Sequence, residues 1–554
     1  MTSVLTRGLG IVAGALLMTS TALSAWAGAM VAIPGDPVST ASGPVAGTRL
    51  DSGVKAYLGV PFAKPPTQDL RWRPPQPIAW KGVWNADHKG PECIQVLRPH
   101  NINHYFGEEP TSEDCLYLNV WTPAQAAPGA KLPVIVFLYG GGNTIGSSGM
   151  ANYGGENLAK RGAVFVNFNY RVGILGFMAH PALTKEQGGH SGDYAYLDQN
   201  AALRWVHDNI AQFGGDPSKV VIIGQSAGAG GVAAQLFSPL SKGLFRGAVM
   251  SSACNYTGAG ASLQDGEQIG LDVQKRLGAA SLDDMRQVPA DKILALQAES
   301  QVGVSVQGVR TGPVIDGYFT PKSKLAVLQA HEFNDVPIIA SSNHEDLNVS
   351  NPLLRAKTVA QYQELAGKLY GADAAQFLKL YPANSDAEVY PVALRAARES
   401  GLEAASRTCA QLQAKYNRSA AYIDLYTHVH PYAPGVKIAD QDTATAGAYH
   451  TADMPFWFDT LDVYNMFRPT RAWGPWDRTL ADRMTAALIA FANTGDPSTA
   501  EAKWPAWSAA AERKIEFGDR IAVVDIDRAP MDWLAAHPAA PLPNAAPQPV
   551  RARD

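Results

Sequence analysis

An α/β fold with a mostly parallel central sheet is predicted by three observations. Apolar runs rich in β-branched and aromatic residues, bounded by Gly or Pro, recur along the chain, with amphipathic segments between them. One run passes through a tight Gly-containing turn directly into a small-residue helix. Strands covered by helices on both faces lose the apolar–polar alternation of a half-buried strand, so continuous runs indicate a parallel sheet.

The elements follow in order. Arg7 gives a short positive region, Leu9 to Leu23 is apolar, and Ala25-Trp26-Ala27 closes with small residues, so residues 1–27 read as a cleaved signal peptide. The mature chain is then expected in a periplasmic or extracellular, oxidising space. Leu132 to Tyr139 (LPVIVFLY) and Ala163 to Tyr170 (AVFVNFNY) read as central strands. Leu197, Ala201, Leu203, Trp205, Val206 and Ile210 carry a helical period that ends at the breaker Gly214-Gly215-Asp216-Pro217. Lys219 to Gly224 (KVVIIG) is a strand that turns into an Ala/Gly-rich helix from Ala227, which makes one step of a parallel sheet. Leu263 to Leu380 is helix-rich, Val336 to Ala340 and Ala420 to Tyr426 are strands, and no internal repeat appears. Residues 28–534 form one large domain, and the Ala/Pro-rich stretch 535–554 is expected to be a disordered tail.

Composition narrows the function. Lys and Arg number 46 against 50 Asp and Glu, a formal charge of −4, so there is no basic surface for a phosphate backbone and nucleic acid is not an expected partner. After the leader no stretch stays apolar for the length of a membrane span. Four cysteines allow two bridges at most and show no paired zinc spacing. His428 and His430 share a strand face but lack a third ligand nearby in sequence, so no metal is expected.

The chemistry begins at Gly224-Gln225-Ser226-Ala227-Gly228. G-x-S-x-G alone is a weak signal, but between a buried strand and a small-residue helix it has the setting of a nucleophile elbow. The Ser226 hydroxyl then projects beyond the strand ends, and the Ala227 amide at the helix N-terminus faces a developing oxyanion. Gly140-Gly141-Gly142 follows the strand ending at Tyr139. Alone it reads as a flexible loop, a phosphate cradle or an oxyanion loop; beside the elbow, the last reading is preferred.

With these motifs in view, the chain resembles the type-B carboxylesterase/lipase family of α/β-hydrolases, which includes para-nitrobenzyl esterases and cholinesterases. The resemblance runs through Tyr57–Pro66 (YLGVPFAKPP), Leu70–Pro75 (LRWRPP), Ser112–Asn119 (SEDCLYLN), Asn169–Phe177 (NYRVGILGF), Leu197-Asp198-Gln199, Phe213–Pro217 (FGGDP), Pro313–Gly317 (PVIDG) and Thr494–Pro497 (TGDP). It covers nearly the whole mature chain and implies a serine esterase with a Ser-Glu-His triad. His450 matches the family histidine in Gly447-Ala448-Tyr449-His450, with Asp453 three residues on where the family usually has Glu. Glu345 stands at the family's acid position after the strand Val336 to Ala340. Its neighbours His344 and Asp346 depart from the family pattern, and Asp346 is the competing acid. Asp316 reads as a structural capping carboxylate.

The resemblance also implies the ester mechanism. Ser226 attacks, His450 serves as base and acid, Glu345 orients the imidazole, and the amides of Gly141, Gly142 and Ala227 bind the oxyanion. No metal or organic cofactor is required, and the partner is a small-molecule ester. Cys93 and Cys115 match the family's first disulfide, Arg71 and Glu113 its buried ion pair, and the pairing of Cys254 with Cys409 is left open. Binding modules of this fold have lost the nucleophile, whereas Ser226, Glu345 and His450 are present; a lipase or amidase of the same fold is the alternative. In cholinesterases a Trp in the first disulfide loop and a Glu before the nucleophile hold the quaternary ammonium. Here that loop offers Tyr105 and Phe106, the pre-nucleophile residue is Gln225, and Asn143 with Thr144 follows the glycines. Arg98, His100 and His104 add positive charge. Neutral or anionic esters are therefore expected over choline esters, with Asn143, Gln225, Tyr105 and Phe106 lining the pocket.

Overall fold

The computed structural model describes residues 31–302 and 305–542. The signal segment 1–27 and residues 543–554 of the expected tail lie outside the described residues.

Twelve strands build one sheet. In chain order they are β1 (Val31–Ala32), β2 (Thr48–Arg49), β3 (Lys55–Pro61), β4 (Tyr117–Thr122), β5 (Leu132–Leu138), β6 (Val164–Phe168), β7 (Gly215–Gln225), β8 (Gly247–Ser251), β9 (Ile338–Asn343), β10 (Ala421–Tyr426), β11 (Arg513–Phe517) and β12 (Ile521–Asp525). Their spatial order is β1-β2-β3-β4-β6-β5-β7-β8-β9-β10-β11-β12. The run from β6 to β11 is parallel, with antiparallel strands at either edge. The expected α/β sheet is therefore present, and its central strands are the apolar runs: Val134 to Leu138 and Val220 to Ile223 are fully buried. Helix α1 (Tyr194–Asn209) and helix α2 (Ala227–Phe237) pack against each other, and α2 lies on β7 and β8.

Two disulfides and several buried ion pairs fix the loops around the sheet. Cys93 is joined to Cys115, and Cys254 to Cys409, which resolves the pairing the sequence leaves open. Arg71 meets Glu113 through two parallel bonds of 2.7 and 2.6 Å and also donates to the carbonyl of Val288, tying the first disulfide loop to the helical region. Asp316 accepts the backbone N–H groups of Tyr318, Phe319 and Thr320, the capping role expected of it.

At the C-terminal end, order extends past the expected boundary at 535. A helix runs from Arg528 to Ala536, the Ala540 amide donates to the Leu369 carbonyl at 2.8 Å, and Leu542 packs on the apolar cluster of Tyr362, Phe377 and Leu534. Composition alone missed this because a few apolar contacts and one backbone bond suffice to hold such a segment.

Candidate active site

The site forms where parallel sheets usually bind ligands, beyond the carboxyl ends of the strands. Gly140 follows β5, Ser226 follows β7, and residues 344–346 follow β9. Ser226 occupies the left-handed region at φ 56°, ψ −124°, the strained turn expected of an elbow. Its amide is held by the Ser251 carbonyl at 2.9 Å. The turn closes only because Gly224 and Gly228 are bare: a Cβ on Gly228 would overlap the carbonyl oxygens of Leu138 and Tyr139. Sequence spacing thereby becomes position, with the Ser226 hydroxyl set against the glycine loop that leaves β5.

That loop bends sharply. Gly141 has φ +121°, and a side chain there would overlap the Ile145 carbonyl. Gly140, Gly141, Gly142, Ser226 and His450 line one cavity of about 310 Å³. Ala227 is the first residue of α2, where backbone N–H groups lack intrahelical acceptors.

His450 is held by Asp346. Its Nδ1 bonds to Asp346 Oδ1, and the Asp346 side chain is wholly buried. The same carboxylate accepts the Asn343 amide at 3.0 Å, the Ser252 hydroxyl at 2.6 Å and the Leu347 amide at 2.8 Å. A buried anion satisfied on every side is fixed in direction. Because the Asp346 side chain turns back to the amide three residues before it, it points toward His450.

Glu345, expected to orient His450, is elsewhere. Its Oε2 accepts the Ala448 amide at 2.7 Å, its Oε1 meets His344 Nδ1 at 2.8 Å, and its own amide donates to the Ala448 carbonyl at 3.0 Å. Burial pushes the Glu345 carboxyl up, but bonding to His344 and the Ala448 N–H, with Arg398 nearby, outweighs it and holds the group below its usual range. Glu345 thus braces the backbone two residues before His450, and Asp346, the competing acid, meets the His450 ring.

Three further groups position the histidine loop. The Gln225 side-chain amide donates to the His450 carbonyl at 2.9 Å. Asp453, fully buried, accepts from Ser251 Oγ at 2.7 Å, Asn343 Nδ2 at 3.1 Å and Trp457 Nε1 at 3.2 Å, and burial raises its pKa. Ser252, which bonds Asp346, carries φ +60°. Sequence reading did not single out Ser252 or Asn343; their only signal was position, at or just past a strand end beside the elbow or the acid.

The expected pocket residues divide. Gln225 lines the cavity of Ser226 and His450, with Thr144, Arg98, His104, Arg310, Leu347 and Thr451. Asn143 is not among its lining residues; φ +62° there directs the chain so that its carbonyl accepts the Gly173 amide. Tyr105 and Phe106 line a different, smaller hollow with His100 and Phe467. Tyr105 packs on His100 and Phe467, and Phe106 on Tyr464, which draws both rings away from Ser226. Of Arg98, His100 and His104, Arg98 and His104 reach the cavity and His100 does not. Arg98 is paired with Glu92 at 2.7 Å, and His104 Nε2 bonds Thr451 Oγ1 at 2.6 Å, beside the catalytic histidine candidate. The described residues hold no cluster of His, Cys, Asp and Glu suited to a metal; His428 instead bonds Asp477 at 2.7 Å and His430 the Ala452 carbonyl at 2.8 Å.

Comparison with known proteins extends this geometry. The family model described as carboxylesterase family matches residues 35–528. The chain is 35% identical over 491 residues to fumonisin B1 esterase of Sphingopyxis macrogoltabida, covering 87% of this chain and 86% of that protein. It is 38% identical over 309 residues to cocaine esterase of Oryctolagus cuniculus, covering 53% of this chain and 55% of that one. Among solved structures, a PNB esterase superposes with a TM-score of 0.72 at 27% identity, covering 90% of this chain and 99% of the other.

Proposed function

Since the chain belongs to the carboxylesterase family and is a carboxylic ester hydrolase, we propose that it works through Ser226, His450 and Asp346 by way of an acyl-enzyme. His450 Nε2 takes the Ser226 proton as Oγ attacks the ester carbonyl. Asp346, on Nδ1, holds the tautomer and stabilises the imidazolium. The amides of Gly141, Gly142 and Ala227 receive the oxyanion, usually the largest single contribution to such catalysis. His450 then returns the proton to the departing alcohol, and a water activated by the same ring hydrolyses the acyl-enzyme. These steps call on side chains and backbone alone.

The observation that carries this reading is the buried Asp346–His450 bond on the cavity that also holds the left-handed Ser226. The test is covalent: a fluorophosphonate should label the protein once, at Ser226 by peptide mass mapping, with loss of para-nitrophenyl butyrate turnover in proportion. Labelling elsewhere, or turnover that survives full labelling of Ser226, overturns the assignment.

The substrate we infer is a neutral or anionic ester. Support comes from the lining of the cavity, where His104, Arg310 and the Glu92-paired Arg98 occur and, among the described residues, no Asp or Glu does. The relative aligned over most of both chains is named for hydrolysing fumonisin B1, and we carry only the ester class from it. We also propose that residues 1–27 are removed and that the enzyme works in the periplasm or outside the cell. The two disulfides support that location, and among the described residues no helix is long and apolar enough to cross a membrane.

A further inference from the structure

A second cavity lies along helix α2. Its volume is about 300 Å³, and it shares no lining residue with the catalytic cavity. Gly230, Ala234 and Phe237 line it from α2, at the spacing of one helix face. Tyr196 and Phe319 add apolar wall, and the loop Gly258–Gly260, which follows the Cys254 disulfide, forms another side. The space is real at the helix surface: a Cβ built on Gly230 meets nothing within 4 Å.

The charges around this hollow are unbalanced. Lys322 and Lys324 line it, and among the described residues no Asp or Glu does. Lys322 is bound to Glu332 at 2.8 Å. Lys324 is half-buried and has no ion-pair partner among the described residues, and burial lowers its pKa. An ammonium that has lost part of its hydration without gaining a carboxylate is stabilised by any anion that enters beside it.

We propose that this cavity is a binding site for a small amphipathic carboxylate of the medium-chain fatty-acid type, its chain against Phe237, Phe319 and the bare face of Gly230 and its carboxylate on Lys324. Size agrees: about 300 Å³ is at the lower end of the usual range for small-molecule sites, which suits a ligand as small as octanoate. Apolar walls with one placed charge are the usual make-up of a small-molecule site. The site does not depend on the catalytic assignment, because it shares no lining residue with the Ser226 cavity.

The test is calorimetric titration of octanoate into the full mature protein, both untreated and after phosphonylation of the catalytic cavity. Saturable binding with a Kd below about 1 mM is expected in both. Lys324→Met, which keeps the apolar stem, should weaken binding about tenfold or more. Gly230→Leu should do the same by filling the hollow, with folding of each variant checked by circular dichroism. If Gly230→Leu does not fold, Lys324→Met alone decides. Absence of binding by the unmodified protein overturns the proposal, as does binding that disappears on phosphonylation yet survives Lys324→Met. Octan-1-ol binding as tightly as octanoate also overturns it, since the charge would then have no part.

Discussion

Glu345 and Asp346 are neighbours in the chain, yet their carboxylates serve opposite ends of one short segment: Asp346 holds the His450 ring, and Glu345 holds the Ala448 amide two residues earlier. One anion holds the ring, and the other fixes the backbone that carries it.

The first prediction separates these roles. Asp346→Asn should lower kcat/KM on para-nitrophenyl butyrate by about 10⁴, the scale seen when a triad acid is neutralised and the tautomer is wrong. Glu345→Gln should leave activity within about tenfold and cost about 1–2 kcal/mol of stability through the weakened Ala448 bond. A larger kinetic loss in Glu345→Gln than in Asp346→Asn would return the acid role to Glu345.

Ser226→Ala should remove ester turnover by several orders of magnitude and leave the circular dichroism spectrum unchanged. Gly228→Ala should act differently. Its methyl overlaps the Leu138 carbonyl, so the elbow or β5 must shift at a cost of about 1–3 kcal/mol, read as a lowered midpoint in urea. Wild-type stability in Gly228→Ala would mean that the elbow is looser than described.

Buried charge gives a pH prediction away from the catalytic groups. Asp193, at the start of α1, accepts from Val314 and Thr320; burial, with the charge of Asp316 nearby, pushes its pKa up to about 8. The unfolded carboxyl titrates near 4. Between these values the folded state binds the extra proton, so the contribution of Asp193 to stability is complete at low pH and declines as pH rises toward 8. Asp193→Asn copies the neutral form. Thermal unfolding should therefore show the variant gaining on wild type from pH 5 to pH 8, and a difference that is constant or moves the other way contradicts the assignment.

Substrate charge can be ranked directly. Butyrylcholine should be hydrolysed at lower kcat/KM than a neutral butyrate ester with a leaving group of similar reactivity. Arg310→Ala should lower kcat/KM more for an anionic ester than for a neutral one. The difference should shrink in high salt, as it does for a charge at the rim of a site. Equal effects on both esters, or a preference for choline, would remove the electrostatic argument.

Much of this architecture was legible in the sequence because buried parallel strands and glycine turns have few alternatives. The runs at 132–139 and 219–224 had to be central strands, and a Ser between Gly224 and Gly228 had to sit at a strand-to-helix turn. The acid was less legible. Two adjacent carboxylates follow β9, and which one faces His450 depends on the Asp346 side chain turning back to the Asn343 amide, a contact that spacing does not encode. Tyr105, Phe106 and Asn143 failed as pocket residues for a related reason. A loop has no periodicity to say which way a side chain points, and the rings found partners in His100, Phe467 and Tyr464.

The bridge between Cys254 and Cys409 encloses 155 residues of sequence separation, and Asp346 lies within that span. Beside Asp346, Leu347 and Val349 stand exposed at 54% and 53%. A protease that nicks the chain there leaves two fragments still joined covalently, so the cut enzyme migrates as one species until a reductant is added. Production in a thiol-rich cytosol removes that tether, and the same nick would then leave the Ser226 and His450 segments joined only by packing and sheet pairing such as β9 with β10.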